Sequence, residues 1–183
     1  MRFDDDPRPI LTERLRLRRS VPDDAEAISA YRSDPEVHRY QGWERTDPDG
    51  IREEILDMAE RMPGEPGWVQ YSVEELGSGR LVGDVGLSPA EDEQGVIKVG
   101  YTMAPSAQGR GYATEAVQAL VRYAFDVLDA EVVRAYASAE NVPSIRVAEK
   151  AGLELVERFE RTYEGETWHG VRYEIVRGPS LDA

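Results

Sequence analysis

Leu15 and Leu17 alternate with Arg14, Arg16 and Arg18, a period of two that predicts a strand with one buried face. Pro22 then opens a helix through Ala25, Ala27, Ile28 and Tyr31 that stops at Asp34 and Pro35. A second helix is predicted from Asp47, a natural N-cap, with Pro48 in the first turn and Ile51, Ile55, Met58 and Met62 on one face before Pro63. Between the two helices, Tyr40 and Trp43 suit either the border of a substrate pocket or a staple to the core. Strands follow at residues 68–74, 80–87 and 96–103, separated by turn chemistry at 77–79 and 89–95, the spacing of an antiparallel meander. Residues 114–128 carry Ala116, Val117, Leu120, Val121, Ala124, Phe125 and Leu128 as a helical stripe, and residues 132–137 form a short apolar strand. This crossover makes the strands on either side of the helix parallel. Residues 141–153 read as a short helix with Pro143 near its start and Gly152 as its cap. A hairpin of residues 154–163 and 168–176, turning at 164–166, completes a β-α-α-β-β-β-α-β-α-β-β order. The chain is expected to form one domain, residues 1–183, with its core at about 11–177 and tails at either end.

Composition narrows the function. The chain has 183 residues and no cysteine, which excludes disulfides, thiolate metal sites and a covalent cysteine mechanism. With only His38 and His169, a histidine metal site is disfavoured, and each histidine reads as an exposed or packing residue. A net charge of −14 argues against nucleic acid as a partner and is compatible with a cationic substrate. No apolar run approaches the ~20 residues of a membrane helix and the first residues are acidic, so a cytoplasmic protein is expected.

The chemistry concentrates in Gln108, Gly109, Arg110, Gly111, Tyr112, Ala113 and Thr114, a glycine-rich loop between a strand and a helix. Such a loop turns backbone N–H groups into one concavity at the positive end of a helix, a site for a phosphate chain. Position 114 is Thr, where a dinucleotide fingerprint needs a third glycine, and no Gly-Lys-Ser/Thr exists for a Walker loop.

The order of elements, with Val99-Gly100-Tyr101-Thr102-Met103-Ala104-Pro105, the glycine loop, and the run from Ala139 and Glu140 through Asn141, Pro143, Ser144 and Arg146 to Gly152, resembles the GNAT superfamily of acyl-CoA-dependent N-acetyltransferases. More narrowly the chain resembles the RimJ/RimL branch, whose founding members acetylate N-terminal amines of ribosomal proteins; the start, from Leu11, Thr12 and Glu13 to Arg18, fits that branch as well. The resemblance spans about residues 11–177. It implies an α+β fold with a mixed, mostly antiparallel sheet, helices on both faces, and two central strands splayed to admit the pantetheine arm of acetyl-CoA. On these positions Gln108, Gly109, Arg110, Gly111, Ala113 and Thr114 are implied to hold the pyrophosphate. Tyr101, Thr102 and Met103 are implied to pair with pantetheine, Asn141 to contact the pantetheine or bind near the thioester, and Ser144 to place a hydroxyl close to the sulfur. Arg146, Glu149 and Lys150 are implied to flank the cofactor or cap the helix. The resemblance also allows a homodimer through strands near the C-terminus.

Transfer from a thioester to an amine needs the amine deprotonated, the oxyanion stabilised and the thiolate protonated, and without cysteine the simplest route is direct attack in a ternary complex. An ammonium of pKa about 10 must first lose a proton, so a carboxylate is expected near the cleft. Asp84, Glu91 and Glu93 are the candidates, with Glu91 taken as the base and Asp84, Glu93 and Trp43 as acceptor-side residues. Many members of the branch have Glu where Lys98 stands here, and Lys98 cannot replace that acid at neutral pH without strong desolvation. Three readings of the acceptor side therefore stand: a peptide N-terminal amine, a small cationic or aminoglycoside-type amine, and a non-catalytic acyl-CoA-binding regulatory domain. No metal is expected.

Overall fold

The computed structural model describes residues 9–43, 45–163 and 166–178. Its frame is one eight-stranded sheet in the order β1-β2-β3-β4-β5-β6-β8-β7. The strands are β1 (Ile10–Leu11), β2 (Leu15–Arg19), β3 (Val69–Glu75), β4 (Leu81–Pro89), β5 (Val96–Met103), β6 (Val132–Ser138), β7 (Glu154–Tyr163) and β8 (Glu166–Val176). Neighbours pair antiparallel except β5 and β6, which are parallel as the crossover through the intervening helix requires.

The helices are α1 (Ala25–Arg32), α2 (Pro35–His38), α3 (Pro48–Met58), α4 (Tyr112–Asp126) and α5 (Val142–Lys150). Two elements exceed the expected order. Strand β1 adds a two-residue edge to β2, and α2 forms where Asp34 and Pro35 were read as a stop, because the Asp34 carboxylate caps the Glu36 N–H at 2.9 Å. Helix α3 begins as expected, with Asp47 accepting from the Gly50 N–H at 2.9 Å, but ends at Met58, so Met62 lies beyond it. Helix α4 starts two residues earlier than its apolar stripe, with Gly111 as its N-cap. Of the expected C-terminal turn, residues 164 and 165 lie outside the described residues, as do residues 1–8 and 179–183 of the expected tails.

Strand alternation divides the sheet. Tyr71, Val73, Val85, Leu87, Val99, Met103, Val133, Ala135, Val171 and Tyr173 join the buried face of α4 in one core, with α5 packed beside it through Ala148. The stripe on α4 is Tyr112, Ala116, Val117, Ala119, Leu120, Val121 and Ala124. The alternate positions, Gln70, Ser72, Asp84, Gly86, Gly100 and Thr102, occupy the opposite face, where Tyr31 and Arg32 of α1 reach Asp84. There α1 and α3 share a smaller core of Ala25, Ile28, Tyr31, Ile51 and Ile55.

That second layer is fastened by polar side chains. Arg18 on β2 forks onto Asp24 with two bonds of 2.7 Å and also holds Glu74 at 2.6 Å, while Ser72 donates to Asp24 at 2.7 Å. Burial pushes the Asp24 carboxyl up, but bonds from Arg18, the Val21 N–H and Ser72 outweigh it and hold the pKa below the ordinary carboxylate value. A depressed folded-state pKa stabilises above the unfolded value and loses that contribution as pH falls through the folded one. Asp24→Asn is therefore expected to lose about 1 kcal/mol at pH 7. The difference from the parent in urea melts should shrink at acid pH.

Candidate active site

Along β5 and β6 the hydrogen-bonded register runs from Val96↔Val132 to Val99↔Ala135 and stops there. Both strands continue, β5 through residues 100–103 still paired to β4, and β6 through residues 136–138 still paired to β8. Among the described residues the two edges that face each other beyond that point have no ladder partner, an opening with Tyr101, Thr102 and Met103 on its β5 side. An extended ligand chain entering the opening finds unpaired N–H and C=O groups of a strand edge.

Helix α5 adjoins this opening. Asn141 caps it by accepting from the Ser144 N–H at 3.2 Å. The Tyr101 hydroxyl donates to the Ser144 carbonyl at 2.8 Å, and the Ser144 hydroxyl lies 3.1 Å from the Tyr101 oxygen as donor. Burial pushes the Tyr101 phenol up, so it stays neutral at physiological pH.

The glycine loop follows directly from β5. Gly109 and Gly111 have φ of +73° and +81°, left-handed values that favour glycine, and they turn the chain into α4. The Gln108 amide ties the loop to the Met103 carbonyl at 3.2 Å. The first N–H groups of α4, including those of Ala113 and Thr114, have no partner within the helix by the geometry of any helix start. The Arg110 guanidinium turns away from them, pairing with Glu75 at 3.1 Å and lying 4.8 Å from the Tyr112 ring. Sequence reading missed what fixes this turn. Glu115 in the first turn of α4 accepts from the Thr12 hydroxyl at 2.6 Å and the Arg14 N–H at 2.9 Å, and pairs with the Arg14 guanidinium. Arg14 also bonds the Arg110 carbonyl at 2.9 Å, so the turn between β1 and β2 clamps the loop. A cavity of about 450 Å³ opens beside it, bringing Arg14, Arg122 and Lys150 to Gly111 and Thr114. Arg14 is paired with Glu115, Arg122 is the eleventh residue of α4, Lys150 ends α5, and Glu13 and Glu115 line the same cavity, so it is the helix N-terminus itself that suits a phosphate-bearing ligand. Arg146 is exposed on α5 and lines neither this cavity nor the next.

On the other face of β4 and β5 lies a cleft of about 490 Å³. Its floor is Gly86 and Gly100, directly paired across the strands, and both lack side chains because Trp68 lies over them. A Cβ on Gly86 would stand 2.4 Å from the Trp68 indole nitrogen. The walls include Arg32, Trp43, Glu54, Asp57, Gln70, Asp84 and Thr102. Asp84 is buried and pairs in register with Thr102, in the stretch of β5 that borders the opening. Its carboxylate accepts from the Tyr31 hydroxyl and pairs with Arg32 at 3.3 Å. Burial first, and then the Asp84 charge, push the Tyr31 phenol well up, so it remains a donor. Arg32 pairs also with Glu54 at 3.3 Å and lies 4.6 Å from the Trp43 ring centre.

Of the expected acceptor-side residues the structure brings Trp43 and Asp84 to this cleft. It does not bring Glu91 or Glu93. Both are exposed in the β4–β5 turn, at the end of the hairpin remote from the Gly83↔Met103 pair, and Glu93 is engaged by Arg134 at 2.8 and 3.0 Å. Lys98 stands on the same face as Gly100, opposite Ser88, and is partly buried. Gln70, Glu54, Asp57 and Arg32 went unread because helix and strand spacing do not show which polar positions converge. Gln70 alternates with Val69 and Tyr71 just as Ser72 and Glu74 do along β3, so the pattern did not single it out. Among the described residues no cluster of three or more His, Cys, Asp or Glu suits a metal ion, and no helix is long and apolar enough to cross a membrane.

Residues 14–154 match the family model described as Acetyltransferase (GNAT) domain, and the chain belongs to that family. The uncharacterized N-acetyltransferase p20 of Bacillus licheniformis is 29% identical over 155 residues, 85% of this chain and 86% of the relative. A GNAT-family acetyltransferase from Bacillus anthracis superimposes with a TM-score of 0.82 at 26% identity, over 92% of this chain and 98% of that one. RimL, a ribosomal L7/L12 alpha-N-protein acetyltransferase solved with coenzyme A, shares the fold with a TM-score of 0.79 at 17% identity, covering 92% and 98%. The protein is an acetyl-CoA-dependent N-acetyltransferase with the GNAT fold.

Proposed function

We propose that the protein transfers the acetyl group to a cationic primary amine bound in the acidic cleft beside Trp68, by direct attack in a ternary complex. The observation that carries this reading is the register pair of Asp84 and Thr102, which sets a buried cleft carboxylate beside the stretch where β5 parts from β6. Support for the donor side comes from the cavity at the α4 N-terminus, where a pyrophosphate would meet the N–H groups of Gly109, Gly111, Ala113 and Thr114, with Arg14, Arg122 and Lys150 alongside. Pantetheine would lie along Tyr101, Thr102 and Met103, with the Asn141 side chain at the far bank.

In this reading the amine enters as the ammonium and gives up its first proton to Asp84, directly or over one water. The nitrogen then attacks the thioester carbonyl, backbone N–H groups of the free β5 edge polarise the oxygen, and the carbon–sulfur bond breaks. Of the two protons the ammonium loses, one ends on the coenzyme sulfur by way of Ser144 and the other passes to solvent. Tyr101 keeps the Ser144 hydroxyl oriented.

The cleft volume of about 490 Å³ admits a small molecule or the terminal residue of a longer one. The likeness to RimL and the sequence resemblance to the RimJ/RimL branch favour a terminal residue, and the acidic lining favours a small cation. Incubation with acetyl-CoA and a panel of alkylamines, amino sugars and short peptides, following free thiol, tests the proposal. Binding of acetyl-CoA without thiol release for any amine would instead support a regulatory acyl-CoA-binding role. Ser144→Ala is expected to lower kcat about tenfold with KM for acetyl-CoA little changed, measured by the same assay.

A further inference from the structure

The second half of the glycine loop is held from the turn between β1 and β2. The Arg14 guanidinium donates to the Arg110 carbonyl at 2.9 Å, and the guanidinium groups of Arg14 and Arg110 each lie 4.8 Å from the Tyr112 ring centre. The Tyr112 hydroxyl donates to Glu75, which also pairs with Arg110 at 3.1 Å. Arg14 is itself fixed by Glu115, whose carboxylate accepts from Arg14 Nε at 2.7 Å and from the Arg14 backbone N–H at 2.9 Å. The Thr12 hydroxyl donates to the same carboxylate at 2.6 Å.

Stability does not account for this arrangement. The Arg14 side chain is 44% exposed, and an ion pair so open to water contributes little. What Arg14 does fix is a peptide plane. Gly109 and Gly111 flank Arg110 with φ of +73° and +81°, and residues without a Cβ let the peptide between Arg110 and Gly111 turn over at little cost. In a trans peptide the C=O and the following N–H point in opposite directions, and no described peptide is cis. With the Arg110 carbonyl drawn toward Arg14, the Gly111 N–H is turned to the other flank of the loop. In the sheet order β2 lies to one side of β5 and β6 to the other, so that flank is the one on which β5 and β6 part. Among the described residues this N–H has no hydrogen-bond partner. A phosphate chain continuing from the opening onto the start of α4 would meet it.

We propose that Arg14 is a positioning residue for acetyl-CoA: it holds the Arg110 carbonyl so that the Gly111 N–H faces the pyrophosphate, and Glu115 and Thr12 hold Arg14 in place. The inference rests on the donor-side reading above, in which the pyrophosphate lies at this loop, and deepens it. Arg14 acts through the backbone and not as a counter-charge to the phosphates. Glu115 then has an effect opposite to that of plain electrostatics. A carboxylate in the first turn of α4 repels a nearby pyrophosphate, so its removal tightens binding if charge alone matters and loosens binding if the carboxylate serves to hold Arg14.

Three donors separate these roles: acetyl-CoA, its 3′-dephospho form, which keeps the pyrophosphate, and S-acetylpantetheine, which lacks it. Dissociation constants are measured for the full-length parent, Arg14→Met, Arg14→Lys and Glu115→Ala, by calorimetry for the two nucleotides and by displacement of acetyl-CoA for S-acetylpantetheine. The ratio between donors within one protein cancels any unfolded fraction. Arg14→Met should weaken acetyl-CoA and its 3′-dephospho form alike, by about tenfold. Arg14→Lys should lose about as much, because an ammonium keeps the charge without the planar fork that joins Glu115 to the Arg110 carbonyl. Glu115→Ala should weaken both nucleotides about fivefold, and all three variants should leave S-acetylpantetheine within about twofold of the parent. A loss confined to acetyl-CoA with its 3′-phosphate would make Arg14 a direct partner of that phosphate and overturn the inference. An equal loss for all three donors, full rescue by Arg14→Lys, or tighter nucleotide binding in Glu115→Ala would overturn it too. A parent that prefers the nucleotides, with variants that match it, overturns the inference alone. A parent that binds S-acetylpantetheine as tightly as acetyl-CoA removes the pyrophosphate from this loop, and the inference with it.

Discussion

Asp84→Asn is expected to lower kcat/KM for the amine about a hundredfold at pH 7 while leaving acetyl-CoA affinity within about twofold of the parent. The change is nearly isosteric. The Tyr31 hydroxyl can still donate to the remaining oxygen, and Arg32 keeps Glu54, so the cleft retains its shape. What is lost is a group able to take up the proton that an ammonium of pKa about 10 must shed before it attacks. The pH dependence distinguishes this from a structural effect. In the variant only the free amine reacts, so the deficit should narrow steadily as pH rises toward the pKa of the amine. A deficit of constant size from pH 7 to 9.5, with unchanged urea stability, would remove Asp84 as the proton acceptor. Thiol-release rates across that range, with calorimetry for acetyl-CoA, supply both measurements.

Most of the frame was legible because its signals are local. The alternation of Leu15 and Leu17 with arginines, the cap at Asp47, and the stripe from Ala116 to Ala124 are each set by a few neighbouring residues, and each forms the expected element. The parallel pairing of β5 and β6 followed from the length of the crossover alone. The misplaced boundaries have equally local causes. Helix α2 depends on one Asp34 cap ahead of Pro35, a proline that serves as well at a helix start as at a stop. Strand β1 exists only because it pairs with β2, which no periodicity over two residues can show.

The candidate site divides along the same line. The glycine loop was readable because the backbone conformation at Gly109 and Gly111 is encoded in the residues themselves. The acceptor cleft was not, because it is assembled from α1, α3, β3, β4 and β5, and sequence spacing carries no register between them. Sequence set Asp84 in the strand at 80–87 and Glu91 and Glu93 in the turn at 89–95, without showing which of the two places lies at the cleft. The strand register separates them, placing Asp84 opposite Thr102 and the other two in the turn at the far end of the hairpin. Burial likewise turned Arg32 and Gln70 from unremarked polar residues into walls of the cleft.

Gly111→Val is expected to weaken acetyl-CoA binding by about a hundredfold. Gly111 has φ +81° as the residue that caps α4, a conformation costing an L-residue about 1–2 kcal/mol, and a β-branched side chain is the poorest occupant of it. A Cβ there also stands 3.4 Å from an Arg14 nitrogen, so the branched side chain crowds the clamp that Arg14 makes to the Arg110 carbonyl. Relaxing either strain rotates the first N–H groups of α4 away from the cavity that holds Arg14, Arg122 and Lys150. Gly109→Ala is the control. At φ +73° it carries the conformational cost alone, since an added Cβ meets nothing within 4 Å, and it should weaken binding about tenfold. Calorimetry with acetyl-CoA and with desulfo-CoA, beside urea melts of the unliganded proteins, gives the comparison. Equal losses for Gly111→Val and Gly109→Ala would mean that backbone conformation, and not the Arg14 clamp, sets the geometry of the loop. Unchanged affinity in both would detach the loop from the donor site altogether, and with it the assignment of the α4 N-terminus to the pyrophosphate.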